Sequence, residues 1–429
     1  MNTKLIKQKD FFLLMLGKLV SLVGSNMQQF SLSLYVLSMT GSATIFASIL
    51  SISILPRLLL SPIAGVFGDW FDRKLSIVLL DLLNFIIIGI YAIIFTVNGN
   101  LTLPMVYILV ILLEITEIFF GSAMSAVIPS MVHIEELLDA NSFNSLVMNI
   151  GQLLAPIIGA VLYGTFGLQM VMIVNSISFL LSAISEMFIS IPKKHKKPDK
   201  ISIKVFKDDL TEGINIIKNN KFISTMMFLG TIINFVIAPL FSVGLTFIIK
   251  EVLVATDFQY GVFQMVLSAS MIVTPLLASG YLKRIEVGRL CYLSFISIAL
   301  LTLVMSPIPS KAILDNLTTN LIPYTLILVV SFMIGIFATI ANIAMGTIFN
   351  QVTPIELMGR TSTVFNLAVT VFIPIGQMIF GYLYDIISPS YVIAIGGVIL
   401  ILAIKSYKTA LMEIDQKKDN IRGDVINEI

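Results

Sequence analysis

From Phe11 onward the chain is a succession of long apolar runs separated by short polar breaks, and that pattern leaves few folds open. About 20 apolar residues in helical form cross a bilayer core, where the backbone must satisfy its own hydrogen bonds. Twelve runs qualify, at 11–38, 42–68, 74–97, 104–130, 139–166, 168–191, 222–249, 258–282, 288–307, 321–350, 358–385 and 389–410. Their breaks carry turn residues, as in MTGSA, VNGNLTLP, SPIPS and ISPS. The expectation is an all-α integral membrane protein with twelve transmembrane helices. Only 12% of residues are charged, against about 25% in a soluble domain, so a water-facing surface could not be coated.

Lysine and arginine placement sets the orientation. With both termini inside, the inner segments hold Lys4, Lys7, Lys9, Arg73, Lys74, Lys283, Arg284, Arg289, Arg360 and the lysines after Ala403, while the outer side has Lys250 and Lys311. Both termini are therefore expected in the cytoplasm of a bacterial cell, with the chain in its plasma membrane. The first apolar run is too long for a signal peptide and lacks its exit sequence. The single cysteine, Cys291, excludes an internal disulfide, and His133 and His195 stand in no metal-binding pattern. No cofactor or metal is expected. Residues 192–221 form the one long polar stretch, in which Ile203, Phe206, Leu210, Ile214 and Ile217 recur at helical spacing. They predict a short amphipathic helix on the inner leaflet, within a basic linker. This linker divides an N-terminal half (1–191) from a C-terminal half (222–411), followed by a tail (412–429).

Two pairs of segments echo one another across the halves. GVFGDWFDRK ends span two and GYLKRIEVGR ends span eight, while APIIGAVLYG in span five resembles GQMIFGYLYD in span eleven. Paired six-span halves are a transporter signature. Ionisable residues at bilayer depth are costly and mark function by default. Lys18, Asp81 and Glu186 lie within a few turns of the inner ends and are expected to serve structure there, Lys18 by snorkelling to the headgroups. Glu114 and Glu117 sit mid-span, three residues apart and so on one helix face. Ionising both in a low-dielectric cavity is unfavourable, so at least one is expected to hold an exchangeable proton, as proton coupling requires. The competing account pairs one of them with Arg57, or with Lys18, as a static salt bridge. Asn26, Gln28 and Gln29, with Asn149, Gln152 and Asn234, are polar at depth and are candidates for a cavity wall. The 29 Phe and 21 Met residues suit adaptable apolar walls for amphiphilic cargo.

The loop between spans two and three resembles that of the major facilitator superfamily. The family motif is Gly-x-x-x-Asp-(Arg/Lys)-x-Gly-Arg-(Arg/Lys), and this chain supplies Gly65, Asp69, Arg73 and Lys74, with Trp70 and Asp72 departing from it. Asp72, the start of the chain and NQVTPIELMGRTS (350–362) are similar to the branch of drug:proton antiporters that contains macrolide-efflux proteins and the enterobactin exporter. The resemblance implies an inner gate, in which Asp69 meets the N-terminus of span eleven near Gly359 and Arg360. Span five carries a partial match to the exporters' Gly-x-x-x-Gly-Pro-x-x-Gly-Gly pattern at Gly151, Ala155, Pro156 and Gly159. The same small residues also suit an ordinary packing seam.

The expectation is a secondary transporter working by alternating access, a proton-coupled antiporter exporting amphiphilic small molecules such as macrolides, other drugs or a siderophore. Its energy source is the proton gradient, its partners are cargo, proton and bilayer rather than nucleic acid, and it is expected as a monomer. Import or lipid flipping on the same fold stays open. An enzyme is disfavoured, since no GxSxG, HExxH or CxxC pattern occurs, and the missing GxxxxGK[ST] loop argues against an ATP-driven pump.

Overall fold

The computed structural model describes the chain apart from residues 1–3, 71, 134–135, 192–210, 212–213, 216, 219, 283–284, 318, 354–357 and 428–429. Its long helices are α1 (Lys9–Thr40), α2 (Ala43–Trp70), α3 (Arg73–Asn98), α4 (Leu103–Met131) and α5 (Leu137–Met187). After the linker come α6 (Lys221–Pro239), α7 (Asp257–Leu282), α8 (Val287–Met305), α9 (Leu321–Val352), α10 (Met358–Ile386) and α11 (Pro389–Asn427). Among the described residues nine helices are long and apolar enough to cross a membrane, and no strand occurs.

Glycine marks the breaks where a left-handed backbone is required. Gly41 (φ 60) and Gly99 (φ 73) terminate α1 and α3, donating their N–H groups to the carbonyls of Leu37 and Phe95. Gly167 (φ 73, ψ −177) bends α5 at the expected junction of spans five and six. One expected span departs from a plain helix. Over 222–249 the apolar run predicts a regular helix, but Leu240–Gly244 and Ile248–Val252 are π-helical. Pro239 stands at the entrance to the first π turn and supplies no N–H, which frees the ladder to shift register. Helix α11 also runs past the expected tail boundary to Asn427. Most of the predicted amphipathic helix, including Ile203, Phe206 and Leu210, lies outside the described residues, whereas Ile217 is buried with Ile223 and Val364.

The chain resolves into two compact units. The first comprises residues 1–41, 49–202 and 257–265, and the second comprises 42–48, 203–256 and 266–429. Lipid offers little hydrophobic drive for helix association, so close packing and interhelical hydrogen bonds hold each unit. In the first, Gly151 and Gly159 let α5 lie against Leu22, Met27 and Phe30 of α1, and Ala155 is buried with Met27 and Val171. Buried Asn175 donates to Gln28 Oε1 at 2.8 Å, and Ser176 donates to the Phe85 carbonyl at 2.9 Å. In the second unit Gly376 lets α10 approach the Phe235 carbonyl, and Gly244 leaves room for the Tyr384 hydroxyl. There too, the Asp385 carboxylate caps the start of α2, accepting from the N–H groups of Ala43 (2.8 Å) and Thr44 (3.0 Å) and from the Ser42 hydroxyl (2.7 Å).

Candidate functional site

Five helices of the first unit surround a cavity of about 510 Å³. Helix α1 contributes Lys18, Ser21, Asn26, Gln28 and Gln29, and α2 contributes Ser53 and Arg57. Asn84 comes from α3, Glu114, Glu117 and Gly121 from α4, and Asn144, Gln152 and Asn175 from α5. Leu22, Leu50, Val110, Met124, Met148 and Phe179 provide apolar wall between these groups. Three-residue spacing on α4 is what places both glutamates on the cavity face. Gly121, one turn further, leaves open space where a Cβ would stand.

The cavity holds both signs of charge. Arg57 Nη2 lies 3.2 Å from Glu114 Oε2, with the arginine 58% exposed and the glutamate 18%. Glu117 opens onto the cavity and lies within electrostatic reach of Arg57 and Lys18. Lys18 Nζ donates to Asn144 Oδ1 at 2.6 Å. Lys18 therefore belongs to the cavity wall, which corrects the expectation that it snorkels to the headgroups. Its stem points inward because Asn144, 126 residues away on α5, offers the acceptor. Thr116 secures the α3 wall by donating to Asn84 Oδ1 at 2.6 Å.

Asn26, Gln28, Gln29 and Gln152 line the cavity as placed by sequence depth, but Asn149 and Asn234 do not. Asn149 is exposed elsewhere on α5, and Asn234 belongs to the second unit. Lys18, Asn84, Asn144 and Asn175 were missed as cavity residues; the signal available was a polar side chain within a span. Asp81 and Glu186 are fully buried and line no part of the cavity.

The span-five residues Gly151, Ala155 and Gly159 form the seam between α5 and α1. Pro156 presents its carbonyl to α7, where Gly261 allows the approach. Around the inner-gate motif, α2 runs helically through Gly65 and Asp69, and the side chains of Asp69 and Arg360 are outside those described. Asp72 has a defined local role: it is the N-cap of α3, accepting from the Leu75 N–H at 3.1 Å. Arg73 opens that helix, and Lys74 Nζ donates to the Met187 carbonyl at 2.8 Å.

Comparison with known proteins follows the same lines. A family model described as Major Facilitator Superfamily matches residues 14–315. Macrolide efflux protein A of Streptococcus pyogenes is 25% identical over 232 residues, covering 54% of this chain and 56% of that protein. The match thus spans little more than half the length of that relative. An uncharacterised MFS-type transporter of Bacillus subtilis, YkuC, is 24% identical over 371 residues, covering 83% of this chain and 81% of that protein. Among solved structures, the nucleoside transporter NupG aligns with a TM-score of 0.72 at 11% identity, covering 94% of this chain and 98% of that one. At such identity the likeness speaks for the fold alone.

Proposed function

This chain belongs to the Major Facilitator Superfamily, and from that premise we propose that it is a proton-coupled exporter of amphiphilic, amine-bearing small molecules. It is a multi-pass membrane transport protein rather than an enzyme. The observation that carries the finer reading is the placing of Glu114 and Glu117, with Arg57 and Lys18, in one cavity walled by amides, leucine, methionine and phenylalanine. A carboxylate in a confined, poorly hydrated space binds either a proton or a cation, and the two compete for it. That competition is antiport: cargo leaves the site when a proton arrives, and the reverse holds on the other side. Apolar walls take the body of an amphiphile, and the amides orient its polar groups. The likeness to a macrolide efflux protein supports this cargo class.

Arg57 already occupies Glu114, which leaves Glu117 as the carboxyl open to the cavity. Glu117 is the proton carrier in this reading, and Glu114, paired with Arg57, is a second carboxylate for which the cargo amine competes. In this reading both termini face the cytoplasm of a bacterial cell, which the lysine and arginine bias supports, and the cycle runs by alternating access. The test is Glu117→Gln, compared with the natural chain in vesicles carrying an imposed pH gradient and a labelled amine-bearing macrolide. Gradient-driven export should be abolished while membrane expression persists. Unchanged gradient-driven export by the variant refutes the assignment.

A further inference from the structure

Three buried polar side chains of the first unit stand outside the cavity. Asp81 on α3 is 1% exposed, and Ser182 and Glu186 on α5 are 0% exposed. None of their side-chain oxygens completes a hydrogen bond of normal geometry among the described residues. They are neighbours nonetheless: Ser182 lies within interaction reach of Asp81, the charge of Glu117 acts on Asp81, and that of Asp81 acts on Glu186. Gly17 of α1 closes the remaining side, where a Cβ would stand 3.2 Å from Ser182 Oγ. The buried apolar residues Leu14, Ile77, Val78 and Ile189 lie within about one helical turn of Gly17, Asp81 or Glu186 in sequence.

The charged groups carried by the neighbouring helices include Lys18 of α1, Arg73 and Lys74 of α3, and Glu117 of α4. Lys18 is turned toward Asn144 and Lys74 toward the Met187 carbonyl, while Glu117 adds negative charge. Two ionised carboxylates in this setting would each carry a desolvation cost of several kcal/mol and would repel one another. Such a group neutralises itself by holding a proton. The position is also directional. Asn84, one turn along α3 from Asp81, lines the cavity, and Met187, the residue after Glu186, meets Lys74 at the start of α3.

We propose that Asp81 and Glu186 form a second proton-binding site, which passes protons between Glu117 in the cavity and the inner face. A proton leaves the Glu117 carboxyl for Asp81, moves to Glu186, and is released to water at the inner end of α5; each carboxylate is regenerated as it gives the proton up. Ser182 orients Asp81 for the transfer. The proposal rests on the proton-coupled reading of the cavity.

The test is infrared difference spectroscopy of the full chain in lipid nanodiscs, titrated in water and in deuterium oxide. The natural chain should show protonated-carboxyl bands near neutral pH that shift on deuteration. Asp81→Asn and Glu186→Gln should each remove a band and slow gradient-driven export about tenfold or more, while cargo binding stays within about twofold. Thermal melting of each variant checks folding, and titration of the natural chain needs no variant. Absence of such bands, or their survival in both variants, overturns the proposal. Bands that do not exchange with deuterium, or undiminished gradient-driven export in both variants, mean structural acids and overturn it as well. Loss of the bands on adding sodium at fixed pH means a metal-cation site and also overturns it. Gradient-driven export undiminished by Glu117→Gln, with the Asp81 and Glu186 bands behaving as expected, refutes the cavity reading and leaves the proton site standing.

Discussion

Arg57→Gln is expected to tighten the binding of a cationic cargo. The Arg57 guanidinium stands 3.2 Å from the Glu114 carboxylate, and an amine on the cargo would compete for the same oxygens. Unit charges at that separation attract by about 5 kcal/mol at an effective dielectric of roughly 20. The arginine is 58% exposed, however, and water screens most of that attraction. Exposed pairs are worth about 1 kcal/mol at most, so freeing Glu114 should improve affinity roughly fivefold. The assay is equilibrium binding of a labelled amine-bearing macrolide to the purified chain in nanodiscs at low salt. Four proteins are compared: the natural chain, Arg57→Gln, Glu114→Gln and the double variant. The double variant should bind like Glu114→Gln, because Arg57 acts through Glu114. Added salt should shrink the gain. Weaker binding by Arg57→Gln, or an equal effect with and without Glu114, refutes the competition.

Two further outcomes test the scaffold. Asp72→Ala should cost about 1 kcal/mol by removing the cap of α3, and Asp72→Asn should cost much less, as read by thermal unfolding in detergent. Asp385→Ala removes a carboxylate that accepts from two backbone N–H groups and the Ser42 hydroxyl at the start of α2, and should cost about 1–2 kcal/mol in the same measurement. Equal melting temperatures for Asp385→Ala and the natural chain refute that role.

The helical character and the breaks were legible because length, hydropathy and turn residues are one-dimensional. Gly41, Gly99 and Gly167 interrupt the chain where a left-handed backbone is needed, and each was visible as punctuation between apolar runs. Depth along a helix was legible too, which is why Glu114, Glu117, Gln29 and Gln152 could be picked out. Azimuth was not. Whether Lys18 turns outward to headgroups or inward to Asn144 depends on a helix more than a hundred residues away. Asn149 and Gln152 sit three residues apart on α5, yet only Gln152 reaches the cavity. The π turns after Pro239 were hidden for a different reason: an apolar run carries no mark of its hydrogen-bond register. Asp72 looked like a departure from a gate motif because helix capping is local, and the motif drew attention elsewhere.

The charges lining the cavity are two cations, Lys18 and Arg57, and two acids, Glu114 and Glu117. Fully ionised, the set sums to zero. Exchange of one monovalent amine for one proton then moves a single positive charge in each direction, and the cycle carries no net current. Membrane voltage, worth about 2.3 kcal/mol per charge at 100 mV, would drop out of the driving force. Export would run on the pH difference alone, at about 1.4 kcal/mol or a tenfold cargo gradient per pH unit. A cell would then lose this pump on collapse of its pH gradient, and keep it on collapse of its voltage.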